Sequence, residues 1–255
     1  MIIREHKDSF IMIEQHHHAH ISKKIINKWT DFFLNDDPLS NSVLYAIKMH
    51  DFGWDSFDRQ PFWNDKVKSP FSFIDFPILP KLTLYTEGVN QVELIDPYAA
   101  ALCSAHYINF LKNHSTHEVM TYINKENARI KRISSSFPTM TKEIFNRHLA
   151  LLKFADNISL YVCLNDPGVA KSEEHFFFKE GIPISKEINP TNKDLIDAYW
   201  INDETISLKG LPYVPSFSIL LKQKKLLKKD IEKTGFIDQY QSVPYENKNI
   251  TFNIS

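Results

Sequence analysis

Residues 43–54 read Val-Leu-Tyr-Ala-Ile-Lys-Met-His-Asp-Phe-Gly-Trp, an apolar run at helical spacing that ends on the adjacent pair His50 and Asp51. Val43, Leu44, Ile47 and Met49 carry a helix, and Gly53 supplies its stop. The pair therefore sits on a rigid element. Neutral imidazole and carboxylate are the ligand types for Zn, Fe, Mn and similar divalent ions, and adjacent His and Asp side chains can reach one ion or bridge two. A lone His-Asp dipeptide also occurs by chance, so its weight depends on what the rest of the chain brings.

Upstream, Met1 to Ile13 alternates around the polar turn His6-Lys7-Asp8-Ser9 and reads as a short hairpin. From His16 to Phe33 the apolar residues Ile21, Ile25, Ile26, Trp29, Phe32 and Phe33 recur at three and four, which predicts a helix. Its first turns hold His16, His17, His18 and His20. His18 and His20 are two apart and cannot share one helical face, so at most one of them joins a common site.

Downstream, the segment from Asp55 to Pro80 is rich in Phe, Trp and Pro without a clean period and predicts an ordered loop over the core, either an edge cover or a lid. Helical spacing resumes over Leu82–Val89, Pro97–Leu111, Glu118–Arg132 and Lys142–Leu164, giving five or six helices. His106 lies inside the second of these stretches, and Asp156 is set among Leu151, Leu152, Phe154, Ala155, Ile158, Leu160 and Tyr161. An unpaired carboxylate in such surroundings is costly, so Asp156 needs a cation or a hydrogen-bond network; Arg147, His148 and Lys153 are alternative partners. After Pro167 short β-like runs follow (Phe176–Phe178, Thr205–Leu208, Phe217–Leu221, Ile250–Ile254), with one helix near Asp194. The basic run Lys222–Lys229 reads as a solvated face.

The expected fold is mainly α: one unit with a helical core over about 16–165 and a small appended antiparallel β-sheet built from the N-terminal hairpin and the C-terminal strands (1–13 and 170–255). A chain of 255 residues, 43% hydrophobic and 13% aromatic, can bury one large core. Thirty basic residues against thirty-one acidic ones create no field that would hold bulk nucleic acid or an anionic membrane. Without a leader-like start or a long apolar run, the expected location is the cytosol. Cys103 and Cys163, each in an apolar helical stretch, are expected to be buried thiols.

The ordered set of His18, His50-Asp51, His106 and Asp156 is more specific than its parts, and it resembles the HD-domain superfamily of metal-dependent hydrolases. Gln15-His16-His17-His18-Ala19-His20-Ile21-Ser22, His50-Asp51-Phe52-Gly53-Trp54, Asp96-Pro97-Tyr98-Ala99-Ala100 and Ser104-Ala105-His106 together look like a bacterial family known only as a domain of unknown function. The HD resemblance implies an HD-like helical core holding one or two divalent ions (Zn, Mn, Fe, Co or Ni). Carried onto this chain it gives His18, His50, Asp51 and Asp156 as metal ligands, with His20 as the alternative first histidine. His106 becomes a further ligand or a phosphate-facing group. Asp51 and His106 are the candidate catalytic residues.

The implied function is hydrolysis of a phosphate ester or nucleotide, a small phosphorylated molecule, by metal-activated water. Lys48, Arg129, Lys131, Arg132 and Arg147 are candidate phosphate partners. Two other functions fit the same residues. A diiron oxygenase would use His20 and His106 to complete two coordination spheres. A non-catalytic metal- or ligand-binding protein would use the aromatic segment or the C-terminal strands to cover the site.

Overall fold

The computed structural model describes residues 1–137, 141–189 and 194–255. Strands β1 (Ile2–Glu5) and β2 (Ser9–Ile13) form the expected hairpin and lead into helices α1 (Gln15–Ile26), α2 (Thr30–Phe33), α3 (Ser40–Met49) and α4 (Asp55–Arg59). A two-stranded ribbon, β3 (Trp63–Asn64) with β4 (Ser69–Pro70), precedes the long helices α5 (Ile78–Ile95), α6 (Pro97–Leu111), α7 (His117–Ser134) and α8 (Lys142–Leu164). The remainder comprises β5 (Ile182–Pro183), β6 (Leu195–Asn202), β7 (Thr205–Lys209), β8 (Phe217–Leu227), α9 (Lys228–Thr234), α10 (Phe236–Ser242) and β9 (Glu246–Ile254).

The sheet corrects the expected fold class. Seven strands join in the order β1-β2-β8-β9-β7-β6-β5, so the sheet is a major layer and the fold is neither mainly α nor all-α. It is also mixed: β7 and β9 run parallel, with Thr205 opposite Thr251 and Leu208 opposite Ile254, while every other pair is antiparallel. Alternation sets its faces. Along β8, Phe217, Ile219 and Leu221 are buried and Ser218, Leu220 and Lys222 are exposed, the period of a strand with one face on a core. Helices α1 and α8 pack against one another and against the sheet, α1 on β8 and α8 on β1 and β5.

Local differences have identifiable causes. The helix expected over His16–Phe33 breaks into α1, a 3₁₀ turn at Asn27–Trp29 and α2, and at that break the Trp29 indole donates to the Pro212 carbonyl at 2.7 Å. Phe176–Phe178 is a turn, with Phe178 N–H donating to His175 O. Of the helix expected near Asp194, residues 190–193 lie outside the described residues, and from Leu195 the chain is strand. The basic run is not simply a solvated face: Lys224 is buried and donates to Tyr240 O at 2.6 Å. The aromatic segment holds α4, the ribbon and the start of α5, and its Phe57 and Phe76 pack edge-on against Trp54. Both cysteines are buried free thiols. Among the described residues no helix is long and apolar enough to cross a membrane.

Candidate metal centre

Four helices deliver the site. In α1 the buried stripe Gln15, His18, Ala19, Ser22, Ile25 and Ile26 carries His18 inward. Helix α3 ends at its C-cap, His50, and Asp51 opens the 3₁₀ turn Phe52–Trp54. Asp96 caps α6 by accepting from Ala99 N–H at 2.9 Å, Pro97 takes the first turn, and the small residues Ala99–Ala101 let this helix, buried from Tyr98 to Tyr107, approach α3 and α5 with His106 on it. Asp156 comes from the middle of α8.

Gly53 explains how α5 seals the motif. A Cβ on Gly53 would lie 2.2 Å from Leu84 O, and one on Gly88 would lie 2.7 Å from Gly53 N, so the two backbones touch where any side chain would separate them. Trp54 and Asp58 are structural. Trp54 is buried among aromatic rings, and the Asp58 carboxylate accepts from Gln15 N–H and pairs with the Met1 amino group at 2.7 Å. Asp55 pairs with Arg59.

The ligand atoms converge. His18 Nε2 lies 3.2 Å from each of His50 Nε2, Asp51 Oδ2 and Asp156 Oδ1. His50 Nε2 lies 3.6 Å from Asp51 Oδ2 and 3.4 Å from Asp156 Oδ1. Nitrogen and oxygen ligands about 2.0–2.1 Å from one ion stand roughly 3.0–3.4 Å apart, so these separations match a shared coordination sphere. His106 Nε2 sits 3.4 Å from the other Asp156 oxygen, Oδ2. Two triads of metal-ligand type result, His18/His50/Asp51 and His50/His106/Asp156.

The outer hydrogen bonds decide which way the imidazoles face. His50 Nδ1 is 2.8 Å from Ile47 O, an acceptor only, so Nδ1 carries the proton. His18 Nδ1 is 2.6 Å from Ser159 Oγ, whose own proton goes to Asp156 O at 3.0 Å, so His18 Nδ1 also donates outward. Ser22 Oγ buttresses this arrangement at 2.6 Å from Ser159 Oγ. Both rings therefore present Nε2 to the centre, where two nitrogens and two carboxylates converge. A divalent cation fits that donor set.

Electrostatics express the same demand. Burial opposes charge on His18, but Asp156 and Asp51 outweigh it and push its pKa up to about 9. His50 moves the same way, its burial overcome by Asp51 and Asp156. Asp156 is held well below the usual carboxylate range, its burial outweighed by hydrogen bonds to His106, His18 and His50. Protons take the part of the cation when none is bound. His106 behaves differently: burial outweighs the pull of Asp156, whose Oδ2 lies 3.4 Å from its Nε2, and lowers its pKa.

His18, His50, Asp51, His106 and Asp156 are thus brought together as the sequence led one to expect. His20 is not. It shares a face of α1 with His16, their ring centroids 4.3 Å apart, about 200° around the helix from His18. The proposed phosphate cations also disperse. Arg129 binds Glu93 and Glu126, Arg132 binds Glu93, Arg147 binds Asp37 and Lys131 is exposed, leaving Lys48, whose charge acts on His16 and His20. Several site residues went unread in the sequence: Gln15, whose amide donates to Asp51 Oδ2 at 3.2 Å; Ser22 and Ser159; and Tyr107, whose hydroxyl donates to His50 O. Ser22 four residues after His18 and Ser159 three after Asp156 were the available signals.

Such a centre, a two-histidine, two-carboxylate set inside a helical layer backed by a mixed sheet, could hold a metal ion. Residues 1–228 match the family model described as "Protein of unknown function (DUF3891)", and the chain belongs to that family. No curated protein and no solved structure matches the chain. The family match carries no link to the HD-domain superfamily, so that likeness rests on the motif residues alone.

Proposed function

We propose that this protein is a metal-dependent hydrolase acting on a small phosphate ester or nucleotide. The observation that carries the reading is the 3.2 Å approach of two imidazole nitrogens, both with their protons committed elsewhere, beside two buried carboxylates. His18, His50, Asp51 and Asp156 would hold a divalent ion there, which would supply Lewis acidity and a water that ionises near neutral pH.

The remaining chemistry belongs to side chains. Asp51, anchored by the Gln15 amide, would orient the water, and His106, its Nε2 3.4 Å from Asp156 Oδ2, would take or return a proton there. An imidazole nitrogen has one lone pair, so the two triads that share His50 cannot both be filled through it. His106 and Asp156 are the residues that would hold a second ion. Lys48 is the cation left to attract a phosphate. The order of the ligands along the chain, like that of HD-type hydrolases, supports hydrolysis.

The test is elemental analysis of untagged protein prepared without chelator, with His50→Ala and Asp156→Ala checked for folding, followed by a phosphate-ester panel on the loaded protein. Stoichiometric metal, lost in both folded variants, together with turnover on at least one ester is the expected result. A protein that takes up no Zn, Mn or Fe overturns the centre. A loaded protein inert on the whole panel overturns the hydrolase reading and leaves the centre standing.

A further inference from the structure

Outside the buried centre, α1 carries a second group of metal-ligating side chains that the reaction above does not use. His16 and His20 are one helical turn apart, the spacing at which two histidines of one face can hold a single ion. Their rings meet at 4.3 Å between centroids and 61° between planes, and the Phe52 ring lies 5.4 Å from that of His16, closing one side. His16 Nδ1 and His20 Nε2 are both shielded from solvent without a hydrogen-bond partner. A shielded imidazole nitrogen with no partner has an unmet need, and here two such atoms sit on adjacent rings.

We infer that His16 and His20 form a separate, accessible site for a transition-metal ion of the Zn or Ni type, with water filling the remaining positions. Both residues are only part-buried, so the pair borders solvent, and a ring rotation turns the shielded nitrogens towards an ion without opening the core. The field around them is divided. Asp55, Asp51 and Glu14 act on His16 against Lys48, while Lys48, Lys24 and Lys23 act on His20. Two neutral ligands in such a field bind more weakly than the two histidines and two carboxylates of the centre, so this site fills second.

The test is titration of the full chain with Zn²⁺ and separately Ni²⁺ against a chromophoric chelator, in wild type, in the double variant His16→Ala/His20→Ala and in His50→Ala. Wild type is expected to bind one more equivalent than the double variant, and His50→Ala is expected to keep that weaker equivalent while losing the tight one. Equal stoichiometry and affinity in wild type and double variant overturn the site. If the double variant fails to fold, imidazole ¹⁵N spectra of the wild type decide: at Zn saturation the His16 and His20 resonances shift, and unmoved resonances overturn the assignment. Failure of the buried centre would appear only in the tight equivalent, so the two readings fall separately.

Discussion

The Nε2 atoms of His18 and His50 face each other at 3.2 Å across the centre, and each ring is held in that pose by a hydrogen bond on its far side. The hold on His50 is a backbone carbonyl and cannot be removed by substitution. The hold on His18 is a serine hydroxyl and can.

Ser159→Ala should therefore loosen the centre without deleting a ligand. Loss of an outer-shell partner lowers metal affinity by roughly 10–100-fold, and Ser22→Ala, which removes only the buttress, should cost less. Chelator competition on the two folded variants measures both, and equal affinity in Ser159→Ala and wild type would show that the hydroxyl does not orient the ring.

Acid should weaken the fold through His17. Burial first, then the charge of Lys222, depresses its pKa from 6.5 to about 4. The unfolded chain takes up the proton first, so stability present above pH 6.5 is lost as pH falls towards 4. His17→Gln should flatten the decline in denaturant midpoint between pH 7 and pH 5; an unchanged slope would assign the acid sensitivity elsewhere.

The backbone contact between α5 and the motif turn leaves no room for a methyl group. Gly88→Ala puts a Cβ 2.7 Å from Gly53 N and 2.8 Å from its Cα, contacts that backbone cannot relieve by rotamer change. Overpacking of this kind costs roughly 1–3 kcal/mol, and the displaced turn carries Asp51. Thermal melting should show the loss and metal content should fall with it; a variant that melts and loads like wild type would mean that α5 can back away freely.

Asp37 offers a control remote from metal chemistry. It accepts from His148 Nε2 at 2.7 Å while the Tyr98 hydroxyl meets His148 Nδ1 at 2.7 Å, a buried relay tying α8 and α6 to the segment before α3. Asp37→Ala strands a buried imidazole, an effect of about 1–3 kcal/mol. Stability should drop in denaturant melts while metal stoichiometry holds.

The centre was legible in sequence because its ligands are chemically distinctive and sit on helices of strong periodicity, so His18, His50, Asp51, His106 and Asp156 could be named from residue type and surroundings. His20 misled because a run of histidines hides which face of α1 turns inward; Ser22, opposite Ser159, resolves that only once α8 is in place. Serines read as filler until a neighbour defines their role. The sheet was underestimated for a different reason. β1 and β2 come from one end of the chain and β5 to β9 from the other, and no local pattern in Thr205–Leu208 or Ile250–Ile254 announces that these runs pair with each other in parallel.

That parallel pairing bears on how the molecule assembles. β9 lies between β8 and β7, so among the described residues strands β5, β6 and β7 are joined by sheet pairing to the β1-β2-β8 half through Glu246–Ile254. Contacts of such long sequence separation are slow to form, because loop closure must precede the gain from pairing. The sheet is therefore joined by its final strand, a late kinetic step, and until that step the inward apolar residues of β7 and β8 are an exposed edge on which a misfolded or aggregated chain can begin.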